Sequence, residues 1–248
     1  MAKQTSVLTL EGRVGRLSFY KTKDGYLARE KGGVSRSRIQ NDPRFARTRE
    51  NIREFTDNAK SSKLFRDALR PVISKIGDKR LSQRVTQTMM QVLKADESNV
   101  RGDRRVKDGD WTLLNGKELN ALSSLGSTLF FELIYVDSPA SWLVRIPNFS
   151  PQDFVALPSG ATHMRLSATG VGLDFDTESR SVQVATSALL SVIEPALTFD
   201  LVVDKTQLQG THWAFVLSVE FVQLVNTVEY SINNGAHNAA KIVAVQKS

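Results

Sequence analysis

The sequence predicts an α+β protein in which an N-terminal β-meander and a group of helices precede a mainly antiparallel β-sandwich. Short β-type runs fill residues 6–30, apolar positions then recur at helical spacing as far as residue 96, and from residue 129 onward β-branched and aromatic runs are bounded by Pro, Gly, Asp and Ser. The grammar changes once along the chain, so the sequence divides into a region over 1–107 and a sandwich over 108–248.

Residues 7–10, 17–20 and 26–29 are the β-type runs of the meander, separated by residues 11–15 and 22–25. Asp24-Gly25 predicts a type I′ hairpin, whose two central residues both need positive φ. Residues 31–40 are glycine-rich and basic with little to bury, which predicts a flexible, exposed arm. Helices are expected over 42–96. Asn41-Asp42-Pro43 supplies a polar cap and a proline at the first helical position, where a missing N–H costs nothing. Phe45, Ile52, Phe55 and Ala59 then mark an apolar stripe that Leu64, Phe65, Ala68 and Leu69 continue to Arg70-Pro71, where proline ends or kinks it. Asp78 is placed to cap a further helix whose buried face is Leu81, Val85, Met89, Val92 and Leu93. The polar stretch 95–110 has no periodicity and reads as a linker or long loop.

Strands are expected at 129–136, 163–168, 171–175, 181–185, 198–203 and within 213–228. Trp213, Phe215, Leu217, Val219 and Phe221 occupy alternate positions of the last run, so that face belongs to the core. Asn233-Asn-Gly235 predicts a hairpin that returns through residues 241–245.

Charge divides along the same line. Residues 1–107 hold 26 Lys and Arg against 12 Asp and Glu, whereas residues 108–248 hold 7 against 14. Two surfaces of opposite sign can attract a polyanion, or another copy of the same chain end to end.

Motifs for chemistry are sparse. The chain has no cysteine, which removes disulfides, thiolate metal sites and thiol nucleophiles and fits a reducing compartment, so a cytoplasmic location is expected. The apolar stretch at residues 7–10 is too short for a signal-peptide core, and nothing approaches the roughly 18 apolar residues of a membrane span, so no membrane association is expected. His163, His212 and His237 fall in separate segments at no metal-ligand spacing, and each is expected at a surface or edge. Asp174, Asp176 and Glu178 alternate as a cation site could, but they lack the EF-hand pattern and read as an acidic hairpin turn. Gly12-Arg-Val-Gly15 and Gly170-Val-Gly172 complete no phosphate-binding fingerprint and read as turn glycines. No nucleophile elbow is present, so neither a cofactor, a metal nor an enzymatic activity is expected.

The segments 12–21, 24–33 and 41–51 resemble the opening of a group of bacterial proteins that share a Gly-x-Val-Gly turn, an aromatic-basic strand and then a helical stretch. That resemblance implies a shape for the first third of the chain and carries no activity with it.

The expected function is therefore structural: copies self-assemble into a filament, tube or shell, the basic N-terminal region of one against the acidic β-sandwich of the next. Phe19, Tyr20, Arg29, Arg36 and Arg38 are the expected interface residues, pairing strand addition with charge. The alternative partner is nucleic acid, because basic residues and Phe19, Tyr20 and Tyr26 mix as they do in sites that track phosphates and stack bases. A carbohydrate site on the sandwich would need Trp111, Trp142 or Trp213 to form an exposed platform.

Overall fold

The computed structural model describes every residue except Met1, Ser6, Val7, Lys31 and Ser248. The chain divides into two compact units, Met1–Arg49 and Glu50–Ser248.

The first unit is a four-stranded antiparallel sheet followed by a short helix. Strands β1 (Ala2–Lys3), β2 (Gly12–Val14), β3 (Leu17–Thr22) and β4 (Gly25–Glu30) are ordered β1-β4-β3-β2. Val7 of the expected first run lies outside the described residues, and Leu8–Leu10 form no strand; the second meander strand instead uses Gly12–Val14, read from sequence as a separator. The β3–β4 hairpin is present, but of the pair Asp24-Gly25 only Gly25 takes a positive φ, 108°, so the turn is not type I′. Thr22 holds it, its hydroxyl donating to the Gly25 carbonyl and accepting from the Asp24 N–H. The second half of the expected arm is helical instead: residues 36–40 belong to helix α1 (Arg36–Asn41), capped by the Ser35 hydroxyl.

Asp42 caps a turn of 3-10 helix at Pro43–Phe45 that runs into α2 (Ala46–Ala68), as the Asn-Asp-Pro signal predicts. Pro71 then sits in the short α3 (Arg70–Ile73), and α4 (Leu81–Lys94) buries the predicted face Leu81, Val85, Met89, Val92 and Leu93. Asp78 acts just before α4, accepting from the Arg80 N–H. The first half of α2 departs from the predicted stripe: Ile52 and Phe55 are 50% and 62% exposed, while Glu54 and Asn58 are buried. Asn58 donates to the Thr86 carbonyl of the neighbouring helix, and Glu54 faces the segment over 95–110, an ordered loop that presents N–H groups to α2. Glu54 accepts from the Gly102 N–H and the Arg104 guanidinium, Asp57 from the Val106 N–H, and buried Asp96 from the N–H groups of Ser98, Asn99 and Arg105.

The second unit also contains β5 (Ile134–Asp137), β6 (Ser141–Ile146), β7 (His163–Asp174), β8 (Ser179–Thr186), β9 (Leu190–Ser191), β10 (Phe199–Asp204), β11 (His212–Val225), β12 (Val228–Ser231) and β13 (Ala239–Lys247). Strands β5, β6 and β10 form a three-stranded sheet. The other six form a sheet in which β11 pairs β7 along one edge and both β12 and β13 along the other. Both sheets are antiparallel, and together they make the expected sandwich, with the helices as a third layer on the far face of the larger sheet.

Strand pleat explains the layering, because alternate side chains point to opposite faces. On β11, Phe215, Leu217, Val219 and Phe221 join Trp142, Val144, Leu201 and Val203 in the core between the sheets. The intervening Ala214 and Val216 join Leu64, Phe65, Met89 and Val92 in the core beneath the helices. Both faces of β11 are thus buried, not one. The charge change at 107/108 runs inside this unit, whose helical core contains Val171 and Leu173 of β7 as well as the helices.

Two turn predictions resolve differently. Gly170 and Gly172 lie within β7, not in a turn; a Cβ at Gly170 would strike the Val203 side chain and one at Gly172 the Gln209 backbone. Asn233-Asn-Gly235 is a kink of three positive-φ residues between β12 and β13, which both run antiparallel to β11. The hairpin lies earlier, at Asn226-Thr227, with φ of 50° and 67°. At the kink the Gly235 carbonyl accepts from the Gly77 N–H, and buried Asn238 donates to the Lys75 carbonyl, fastening the sheet to the turn before α4. Among the described residues no helix is long and apolar enough to cross a membrane.

Burial alone would raise the Glu54 pKa, but hydrogen bonds from Arg104 and Gly102 outweigh it and hold the carboxyl below its ordinary value. A carboxylate with a lowered folded pKa stabilises above the ordinary value, ~4.3, and loses that contribution as pH falls through the folded pKa. Glu54→Gln is expected to cost about 3 kcal/mol in urea unfolding at neutral pH, because Arg104 loses its buried partner. The variant's stability should also fall less steeply than the parent's below that pH, and parallel profiles would contradict this role.

Candidate functional site

The first unit contains the residues expected at an interface, and its most informative property is what it does not bury. None of its described residues is buried, and Val14 and Leu17 stand 64% and 43% exposed on a sheet that has four strands. A sheet ordinarily covers one apolar face with another layer.

Register and pleat sort the side chains of this sheet into two faces of different chemistry. Val14 opposes Leu17, Gly12 opposes Phe19, Phe19 opposes Ala28 and Ala28 opposes Ala2, so these residues share one face. Lys21 and Tyr26 extend that face, the ammonium lying 5.3 Å from the ring centroid, and Glu30 ends it in an exposed ion pair with Arg16. On the other face Arg13 opposes Ser18 and Ser18 opposes Arg29, while Lys3 opposes Leu27 and Leu27 opposes Tyr20. The Arg29 guanidinium lies 5.4 Å from the Tyr20 ring centroid. No carboxylate stands on that face of the strands, so Lys3, Arg13 and Arg29 make it cationic, with Arg29 beside the ring.

The expected interface residues are therefore distributed. Tyr20 and Arg29 are brought together, Phe19 points to the opposite face, and Arg36 and Arg38 lie on α1. Arg38 is engaged by Asp42 at 3.4 Å. Hydrogen bonds from the Arg44 side chain and N–H, joined by the Arg38 side chain, hold the Asp42 carboxyl below the usual carboxylate range. Lys3, Arg13, Val14 and Leu17 were not among the residues expected at the self-assembly interface, although Arg13 belongs to the basic set of the nucleic-acid alternative. Alternation along β3 identifies Leu17, whereas Lys3 on β1 and Arg13 and Val14 on β2 take their faces from strand pairing.

In the second unit the charged side chains largely satisfy one another. Lys60 pairs with Glu178, Lys75 with Glu220, and Lys107 with Asp176 at 2.8 Å, joining the basic helical region to the acidic strands of the same unit. The acidic turn after β7 is present, with Asp174 accepting from the N–H groups of Asp176 and Thr177. His212 is not at a surface. It is buried against Trp111 and Phe175, its Nε2 is 2.9 Å from the Lys107 carbonyl oxygen, and burial lowers its pKa. Trp111 and Trp142 are buried and Trp213 is half-buried, donating to the Gly210 carbonyl, so no exposed indole platform exists among them.

Comparison with family models, curated proteins and solved structures finds no match for the chain.

Because the first unit buries none of its described residues, limited trypsin digestion should cut first between residues 13 and 49. A resistant fragment beginning near residue 50 should remain with an unchanged melting temperature; equal resistance of both units would contradict this account.

Proposed function

We propose that this is a non-enzymatic structural protein whose copies assemble into a filament, tube or shell, with the basic N-terminal sheet of one copy meeting the acidic sandwich of another. The observation that carries this reading is the apolar face of Val14, Leu17, Phe19 and Ala28 on a sheet without a buried residue, with Val14 and Leu17 exposed and Phe19 and Ala28 half-buried. Such a face gains roughly 25 cal/mol for each Å² of apolar surface removed from water, so a matching surface is favoured wherever one is at hand. Charge favours the sandwich of another copy: residues 1–49 carry 12 Lys and Arg against four Asp and Glu, and residues 108–248 carry 7 against 14. The perturbed carboxylates Glu54, Asp78 and Asp96 support a structural role for the second unit, because each is occupied in closing a loop or a helix start.

One observation favours nucleic acid as a second reading. Arg29 lies against Tyr20, and Lys3 and Arg13 share that face of the strands with no carboxylate on it, an arrangement suited to phosphates and a stacked base.

Sedimentation and negative-stain microscopy of nucleic-acid-free protein separate the two. Ordered particles without added polyanion, lost on deletion of residues 1–38 or in Phe19→Asp, are the expected result. Single chains that associate only when DNA or RNA is added would establish the second reading, and particles that survive the deletion unchanged would overturn the first.

A further inference from the structure

The three-stranded sheet covers the inter-sheet core with one face and turns the other to solvent. Trp142, Val144, Ile146, Leu201 and Val203 point inward. Their neighbours form an outward surface whose central row is set by register: Val136 opposes Leu143 and Leu143 opposes Val202. Ile134 extends it, and Ile134, Val136 and Val202 are each about half exposed. Beside this row the Arg145 guanidinium makes a two-pronged contact with Asp200, 2.8 Å for each hydrogen bond, which leaves Asp204 as the uncompensated charge of the face. Residues 129–155 and 190–208, which build this layer and its connections, hold six carboxylates against Arg145 and Lys205.

Lys205 is withdrawn from the surface. It is buried, bonded to Asp137 and to the Ser138 carbonyl, and lies 4.6 Å from the Trp142 ring centroid, so it fixes the end of β5 and contributes no positive charge outside. Among the described residues no strand pairs with the outer edge of β5, and the strand carries no lysine, proline or bulge of the kind that protects sheet edges.

We propose that this outward face, Ile134, Val136, Leu143 and Val202, receives the apolar face of the N-terminal sheet of a second copy. The inference rests on the assembly reading above and supplies the receptor that reading requires. Both surfaces are faces of small antiparallel sheets that carry a row of apolar residues, and two sheet faces pack at about 10 Å. Their rims are complementary: Lys21 and Lys23 border the donor sheet, while Asp204 stands on the receptor strands and Glu132 just before them. Donor and receptor are different patches, so the contact is head-to-tail and generates either a ring, the smallest being reciprocal exchange between two copies, or an open polymer.

The absence of cysteine makes the test direct. Full-length Leu17→Cys chains are mixed with full-length Val136→Cys chains under mild oxidation, with Val100→Cys, on the exposed loop after α4, as the control partner. Docking brings the two thiols to high effective concentration, so the mixed disulfide is expected at roughly tenfold the control yield. Val136→Cys bridging to itself overturns the assignment in favour of two receptor faces meeting. A bridge formed only within one chain carrying both substitutions overturns it in favour of internal docking. If no bridge forms while parent particles still sediment, the receptor assignment falls and assembly stands. If the parent chain remains single at every concentration, both fall.

Discussion

Strand β11 has to satisfy two cores at once, and the architecture of the second unit follows from that. Its fourteen residues are flanked by β7 on one side and by β12 and β13 on the other, and its alternate side chains belong to different layers. Phe215, Leu217, Val219 and Phe221 close on the three-stranded sheet, and Ala214 and Val216 accept the helices. Each large side chain fully withdrawn from water contributes about 1.5–3 kcal/mol, so this strand ties together most of the unit's apolar burial. The small residues follow from the same demand. Gly170 and Gly172 let Val203 and Gln209 approach β7, and Gly235 lets the kink between β12 and β13 lie against the turn that precedes α4.

Electrostatics takes on a different meaning once the layers are known. Much of the positive charge of the helical region is opposed within its own unit, through Lys60 with Glu178, Lys75 with Glu220 and Lys107 with Asp176. Exposed pairs of this kind contribute about 0–1 kcal/mol each and mainly keep like charges apart. The excess is concentrated elsewhere. Glu50–Ser248 holds 21 Lys and Arg against 22 Asp and Glu, whereas Met1–Arg49 holds 12 against four. The cationic surplus thus coincides with the unit none of whose described residues is buried, and the proposed assembly rests on that coincidence.

Periodicity was informative where packing is apolar on one side. The α4 face, the Asn-Asp-Pro helix start and the alternation in β11 could all be read directly, because each reflects a single local rule. It failed on α2, where Ile52 and Phe55 fit a helical stripe but the loop packed there presents N–H groups, which select Glu54 and Asp57 instead. Nor could local pattern reveal that both faces of β11 are covered, since that depends on helices more than a hundred residues earlier in sequence. At the candidate site, aromatic and basic residues marked the right segment. The separation of Phe19 from Tyr20 and Arg29 required applying the two-residue period of a strand to the paired register.

The claim on which this account turns is that the N-terminal sheet is incomplete in a single chain and is completed by another. Amide hydrogen exchange in β3 and β4, followed from dilute to concentrated protein, reads this property most directly. The account predicts rapid exchange there at low concentration, rising to strong protection as copies associate, while β7 and β11 stay protected throughout. Strong protection of β3 and β4 in dilute, strictly single chains would contradict it.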